Sequence, residues 1–123
     1  MIVLSRMDID SYLKAMISVM IYKESSLFAV LCKTREETVF VKTKFLELYA
    51  TIPDWLKPVI IENRDMSIRI GNSNQLLFLT NDRGLQGRTL NHVALIVKSN
   101  DYRVPEHAMR FLEAGKLTKI YLS

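Results

Sequence analysis

Three short, nearly unbroken apolar runs constrain this chain most: Met1–Leu4, Leu27–Cys32 and Val93–Val97. A strand with one face in water alternates apolar and polar side chains. A strand apolar on both faces has to be covered twice, which is the situation of parallel strands between helical layers. The runs therefore predict an α/β three-layer sandwich built on a mainly parallel sheet. The connecting segments fit it. Tyr12–Tyr22 is apolar on almost every side, with Lys14 as its only charge, and predicts a buried helix. Thr34 and Glu37 have the spacing of a capping box. They open a second helix with Val41, Phe45 and Leu48 on one face, and Lys42, Lys44 and Glu47 toward water. Pro53 and Pro58 end that helix and bracket a turn, in which the large Trp55 is expected to pack as an anchor. Ser67–Ile70 and Gln75–Leu79, flanking Gly71-Asn72-Ser73-Asn74, read as a β-hairpin. Pro105 and Gly115 bracket a short helix with Ala108, Phe111 and Leu112 as its buried face. Without repeat, linker or low-complexity stretch, residues 1–123 read as a single domain.

At 123 residues one core is expected, burying about two-thirds of the unfolded chain's surface. The net charge of +4 permits an acidic partner without demanding one. The single cysteine, Cys32, rules out an internal disulfide and reads as a core residue of a reducing compartment. No apolar run approaches the roughly 20 residues that span a bilayer, and the N-terminus lacks the pattern of a signal peptide. A soluble, intracellular domain is the expectation.

The first turn carries the most specific chemistry. Residues 2–11 read Ile-Val-Leu-Ser-Arg-Met-Asp-Ile-Asp-Ser, an apolar strand running into Ser5-Arg6, with a helix expected to start near Ser11. A loop that holds nucleotide phosphates here ends in Gly-Lys-Ser/Thr. The glycine lets backbone N–H groups approach the phosphates, and the lysine reaches the β/γ-phosphates. Ile9 and Asp10 occupy the first two places, and only Ser11 keeps its type. A carboxylate where the cation belongs repels a polyphosphate.

The order of the remaining motifs resembles the ATPase domain of the large terminase subunit, the DNA-packaging motor of T4-like tailed phages. Ser5 to Ser11 aligns without a gap on that family's Ser-Arg-Gln-x-Gly-Lys-Thr. Ile52-Pro53-Asp54-Trp55-Leu56-Lys57-Pro58 is similar to its Leu-Pro-Asp-Trp-Leu-x-Pro block. Ser67-Ile68 with Asn72-Ser73, and Leu85-Gln86-Gly87-Arg88-Thr89, resemble its Gly-Ser-Ile…Asn-Gly-Ser hairpin and its Arg-Gly-x-Ser/Thr turn. Val93–Val97 stands in the place of its Walker B strand, and Gly115–Tyr121 resembles the strand before its coupling motif. The resemblance implies a P-loop NTPase-like fold of the terminase/RecA type. It also implies a degenerate Walker A (Ser5, Arg6, Ile9, Asp10, Ser11) and a degenerate Walker B, with Val97 and Lys98 where the family has Asp-Glu. Relative to the family, the adenine-binding N-terminal region and the nuclease domain are expected to be absent. Phosphoryl transfer depends on positioning and on charge neutralisation by Lys, Arg and magnesium. The resemblance therefore implies no ATP hydrolysis, no catalytic residues and no nucleotide, metal or other cofactor.

The other candidates have plainer readings. Ser11 reads as a helix cap rather than a relic magnesium ligand. Asp8 and Asp10 read as dipole partners of a helix N-terminus rather than a metal pair. Arg6 matches the family's γ-phosphate arginine, but without the neighbouring Gly and Lys it reads as a surface ion pair. His92 and His107 have no convergent ligands in sequence and read as structural, as does Cys32. Arg83, Arg88, Lys98 and Arg103 cluster in the segment that faces the nucleotide in the family, and are expected to form a partner-binding positive rim. The function expected is that of a non-catalytic phage protein binding a protein partner, as regulator or inhibitor of a packaging motor or of a host factor. It would work in the cytoplasm of an infected bacterium, with homo-oligomerisation left open. The alternatives are an ATPase or packaging subunit completed in trans, and a DNA-binding accessory protein.

Overall fold

A computed structural model describes residues 5–97 and 103–121. The expected first strand, Met1–Leu4, lies outside them. The described chain forms seven strands and three α-helices: β1 Ser5–Asp8, α1 Ile9–Tyr22, β2 Leu27–Leu31, α2 Arg35–Ala50, β3 Ile60–Arg64, β4 Ser67–Ile70, β5 Gln75–Leu79, β6 His92–Val97, α3 Met109–Glu113 and β7 Leu117–Tyr121. Short 3-10 turns stand at Asp82–Leu85 and Glu106–Ala108. One sheet runs in the order β1-β7-β6-β2-β5-β4-β3. Its first five strands are parallel, and β4 and β3 add an antiparallel meander at one edge.

Alternation along the central strands explains the layers. Phe28, Val30 and Cys32 face a cluster formed with Leu13, Met16, Ile17 and Met20 of α1 and Val41, Phe45 and Tyr49 of α2. Ala29 and Leu31 face the opposite cluster, with Leu85, Leu90, Ala108 and Phe111. Both faces of β2 are thus covered, as its unbroken apolar run requires. No described helix is long and apolar enough to cross a membrane.

Several expectations change in detail. Helix α1 starts at Ile9, not near Ser11, and only one of its sides is buried. Ser11, Lys14, Ala15, Ser18 and Tyr22 are exposed, so its apolar content exceeds what the core uses. Thr34 caps α2 as expected, its hydroxyl accepting from the Glu37 N–H at 3.1 Å. Glu37 Oε1 reaches back to accept from the Lys33 N–H at 2.8 Å. Lys42 and Lys44 do not simply face water. Lys42 Nζ donates to the Arg64 carbonyl at 2.6 Å, and Lys44 Nζ stands 3.4 Å from Asp10. Strand β3 has no counterpart in the sequence reading.

Trp55 is the clearest reversal. It is 85% exposed. The anchor of its loop is a pair of other residues. Lys57 Nζ donates to the Tyr49 carbonyl at 2.8 Å and sits 5.1 Å from the centroid of the Tyr49 ring. The Tyr49 hydroxyl donates to the Pro58 carbonyl. With the loop tied to the end of α2 through Tyr49, the indole is free to face solvent.

The β4–β5 turn holds a buried polar junction. Asn74 is completely buried. Its Oδ1 accepts from the Ser26 N–H at 2.7 Å. Its Nδ2 donates to the carbonyls of Met20 and Lys23, each at 2.7 Å. Asn72 Nδ2 donates to the Met20 carbonyl at 2.6 Å. The turn thereby caps the C-terminal end of α1 and fixes the entry to β2.

Two substitutions test these assignments by urea unfolding. Asn74→Ala leaves a buried N–H and a buried carbonyl without this partner, and should cost about 2–4 kcal/mol. Asn74→Asp should cost more, because it cannot donate to the two carbonyls and adds a buried charge. Trp55→Ala should leave stability within about 0.5 kcal/mol, whereas Tyr49→Ala should cost roughly 3–5 kcal/mol.

Candidate functional site

The parallel strands bring their carboxyl ends to one side. Chain leaving β2 travels through α2 to β5 on one flank, and chain leaving β6 travels through α3 to β7 on the other. Between β2 and β6 the winding therefore reverses, and a crevice opens beyond the strand ends at such a point. A cavity of about 460 Å³ lies there, lined by Leu31 at the end of β2 with Cys32 and Lys33 after it, Thr80, Asn81 and Asp82 after β5, and Val97 at the end of β6 with Arg103–Pro105 beyond it.

The β1–α1 junction stands at the same end. Asp8 of β1 and Val97 of β6 are both in register with Tyr121 of the intervening β7. The two strand ends are thus about 10 Å apart across the sheet. No loop separates β1 from α1: the strand ends at Asp8 and the helix begins at Ile9. Asp8 is the N-cap. Its Oδ1 accepts from the Ser11 N–H at 2.8 Å, and its Oδ2 accepts from the Ser11 hydroxyl at 2.9 Å. These bonds hold the Asp8 carboxyl below the usual carboxylate range.

The cap expectation for Ser11 is corrected here: Ser11 donates to the cap and is not itself the cap. Asp10 turns elsewhere, its Oδ1 meeting Lys44 at 3.4 Å with no hydrogen-bond partner. The two acids thus serve different partners. Among the described residues, no three His, Cys, Asp or Glu side chains converge as a metal site requires. Arg6 is described as a backbone position in β1, in register with Lys119.

The four expected partner-binding cations do not form one rim. Lys98 lies outside the described residues. Arg103 is exposed and lines the cavity. Arg83 is exposed beside the cavity residue Asp82, and its backbone N–H bonds Asn81 Oδ1 at 2.9 Å. Arg88 belongs to the return loop toward β6, its Nε donating to the Gly84 carbonyl at 2.8 Å. Arg110 braces that loop through Nη2, to the carbonyls of Leu85 at 2.6 Å and Arg88 at 2.8 Å. The chain thus disperses a cluster that looked contiguous in sequence. It adds Lys33 at the cavity, a residue without motif context that only the β2–β6 neighbourhood could reveal. Val97, in the Walker B place, is buried among apolar residues.

Cys32 is buried, and burial together with the nearby Glu37 charge pushes its thiol up to about 12. It stays protonated at neutral pH and is a poor nucleophile. His107 is used through its backbone, its N–H bonding Asp82 Oδ2 at 3.0 Å.

His92 sits far from this crevice, in a second cavity of about 360 Å³ at the amino ends of β2, β6 and β7, with Tyr12, Phe28 and Thr118. Its Nε2 is 2.8 Å from the Thr118 hydroxyl, and its ring lies 5.6 Å from that of Tyr12. Desolvation lowers the His92 pKa below its ordinary 6.5. The folded state therefore binds a proton less readily than the unfolded chain. The stabilising contribution is complete above the unfolded value and is lost as pH falls through the folded one. Melting temperature should drop as pH goes below about 6.5, and His92→Gln should flatten that part of the profile.

The sequence matches no protein-family model, and no curated protein matches it either.

Proposed function

We propose that this chain is a P-loop NTPase-like domain of the terminase type that no longer hydrolyses ATP and works by binding a protein partner. The observation that carries the reading is the Asp8 cap. A helix N-terminus after a parallel strand is where a phosphate is cradled by backbone N–H groups and the helix dipole. In this chain an internal carboxylate takes the donors of Ser11 instead. The strand-to-helix junction leaves no loop residues to wrap a polyphosphate. The family likeness in sequence gains support from the placement of the β1 and β6 ends on either side of β7. The unequal fates of the four cations narrow the partner surface to the crevice end, where Arg83, Arg103 and Lys33 face solvent. A cationic margin of this kind steers an acidic protein surface. Duplex DNA fits less well, because tight binders neutralise several phosphates along a continuous track.

A melting scan with millimolar Mg-ATP should show no shift. A nucleotide at 100 times its Kd would add about 2.7 kcal/mol, and a shift of that size contradicts the reading. In parallel, Arg83→Glu with Arg103→Glu should abolish capture of the partner retained by the immobilised wild-type chain. Retention unchanged in strength and salt dependence would remove the crevice end from consideration.

A further inference from the structure

The second cavity, at the amino ends of β2, β6 and β7, takes no part in the proposed partner site. Helix α1 forms one of its walls. Tyr12, Met16, Val19 and Lys23 line it, at spacings of three and four that put them on one helix face. From Tyr12 to Lys23 the chain advances about 16 Å along the helix axis, so the cavity is elongated. The sheet supplies the facing wall, with Phe28, His92 and Thr118. The volume of about 360 Å³ is at the small end of ligand-binding cavities.

Two wall residues carry hydroxyls that no protein group satisfies. Tyr12 and Ser26 are each only 5% exposed. Neither hydroxyl is hydrogen-bonded among the described residues, and neither is sealed from solvent. A buried hydroxyl normally has a partner, so two of them on one cavity point to an occupant. The neighbouring polar groups are half-used. His92 Nε2 meets the Thr118 hydroxyl at 2.8 Å, while its Nδ1 has no partner among the described residues. Asn91 Oδ1 accepts from the Leu27 N–H at 2.8 Å, which leaves its Nδ2 to donate. Among the described residues Lys23 is the one charged group on the wall, because desolvation keeps His92 neutral at pH 7.

The two ends of the cavity suit different chemistry. At one end the rings of Tyr12 and His92 lie 5.6 Å apart, next to Thr118. All three side chains are neutral, and each can donate or accept, which suits a hydroxyl. At the other end Asn74 holds Lys23 and Ser26 together, bonding the carbonyl of the first and the N–H of the second, each at 2.7 Å. Lys23, Ser26 and Asn91 present donors there and no acid opposes them, which suits an acceptor-only carboxylate. Between the ends stand Met16, Val19 and the Phe28 ring, which suit a flat hydrocarbon body.

We propose that this cavity binds a small hydroxyaromatic monocarboxylic acid, with its carboxylate at Lys23 and Ser26 and its hydroxyl at Tyr12 and His92. The proposal does not rest on the partner reading of the crevice.

The test is isothermal titration calorimetry of the full chain with para-hydroxycinnamate, with backbone-amide NMR shifts locating the site. Binding should have a Kd below about 1 mM, with shifts confined to α1 and the starts of β2, β6 and β7. Cinnamate, which lacks the hydroxyl, should bind about five-fold more weakly. The uncharged para-hydroxycinnamamide should bind about ten-fold more weakly. Tyr12→Phe should erase the first preference and keep the second. Lys23→Gln with Ser26→Ala should erase the second and keep the first, an exchange that general loosening of the fold does not produce. Arg83→Glu with Arg103→Glu should change neither, which separates this site from the crevice. No binding at millimolar concentration overturns the inference and leaves a hydrated cleft. So does binding that shifts amides elsewhere, or a preference that survives the variant meant to erase it.

Discussion

The fold turns on one buried amide. Asn74 joins three parts of the chain that are distant in sequence: the last turn of α1, the residue before β2, and the turn that pairs β4 with β5. Three of its side-chain bonds go to backbone groups at element ends, and its Nδ2 also donates to Asn72 Oδ1 at 2.8 Å. The end of a helix always leaves carbonyls unsatisfied, and here they point into the protein, where water cannot reach them easily. An amide side chain offers an acceptor and two donors on one rigid group, which suits one strand N–H and two helix carbonyls. No apolar residue replaces that arrangement, and an acid replaces only half of it. The position of α1 over the sheet, and with it the direction in which Asp8 presents its carboxylate, follows from this fixed end.

Much of the layer plan was legible because it rests on composition along short windows. Leu27–Cys32 and Val93–Val97 are apolar on both faces, and both became central strands covered twice. The hairpin followed from two short runs flanking the Gly71–Asn74 turn, and the cap at Thr34 from the local hydrogen-bonding habit of a hydroxyl. What was not legible depends on distance in space. Strand β3 carries Glu62, Asn63 and Arg64, which look like loop, because an edge strand exposed to water is not obliged to be apolar. Trp55 was misread for a related reason. A large aromatic between prolines satisfies its loop only if nothing else does, and Tyr49 with Lys57 had already done so from the preceding helix and the same turn. Neither residue advertises that role in sequence.

The candidate site shows the same division. That Ile9 and Asp10 stand where a phosphate-binding loop carries Gly and Lys was legible directly. The occupation of the helix N-terminus by Asp8 was not, since an acid at N-cap and an acid in the first turn read alike until the backbone bounds are known. Moving the helix start from Ser11 to Ile9 makes Asp8 the cap and converts Ser11 from acceptor to donor. The basic residues failed as a group for a topological reason. Arg83 lies within the 3-10 turn Asp82–Leu85, while Arg88 follows it and folds its side chain back onto the Gly84 carbonyl. Lys33 and Arg103, 70 positions apart in numbering, meet at one cavity because β2 and β6 are adjacent.

These observations divide the molecule into two ends with different physical character. At the carboxyl ends of the strands, Lys33 and Arg103 stand at a crevice together with Asp82, and the N-terminus of α1 is capped by the internal carboxylate of Asp8. At the amino ends, the exposed Trp55 leads into β3, whose Glu62 meets Arg64 and Arg69. Electrostatic steering acts over about a Debye length and weakens with salt, while burial of a Trp and several branched side chains acts only at contact and depends little on salt. The central sheet lies between the two ends, rigidly packed on both faces. Such a sheet holds two unlike surfaces at a fixed separation.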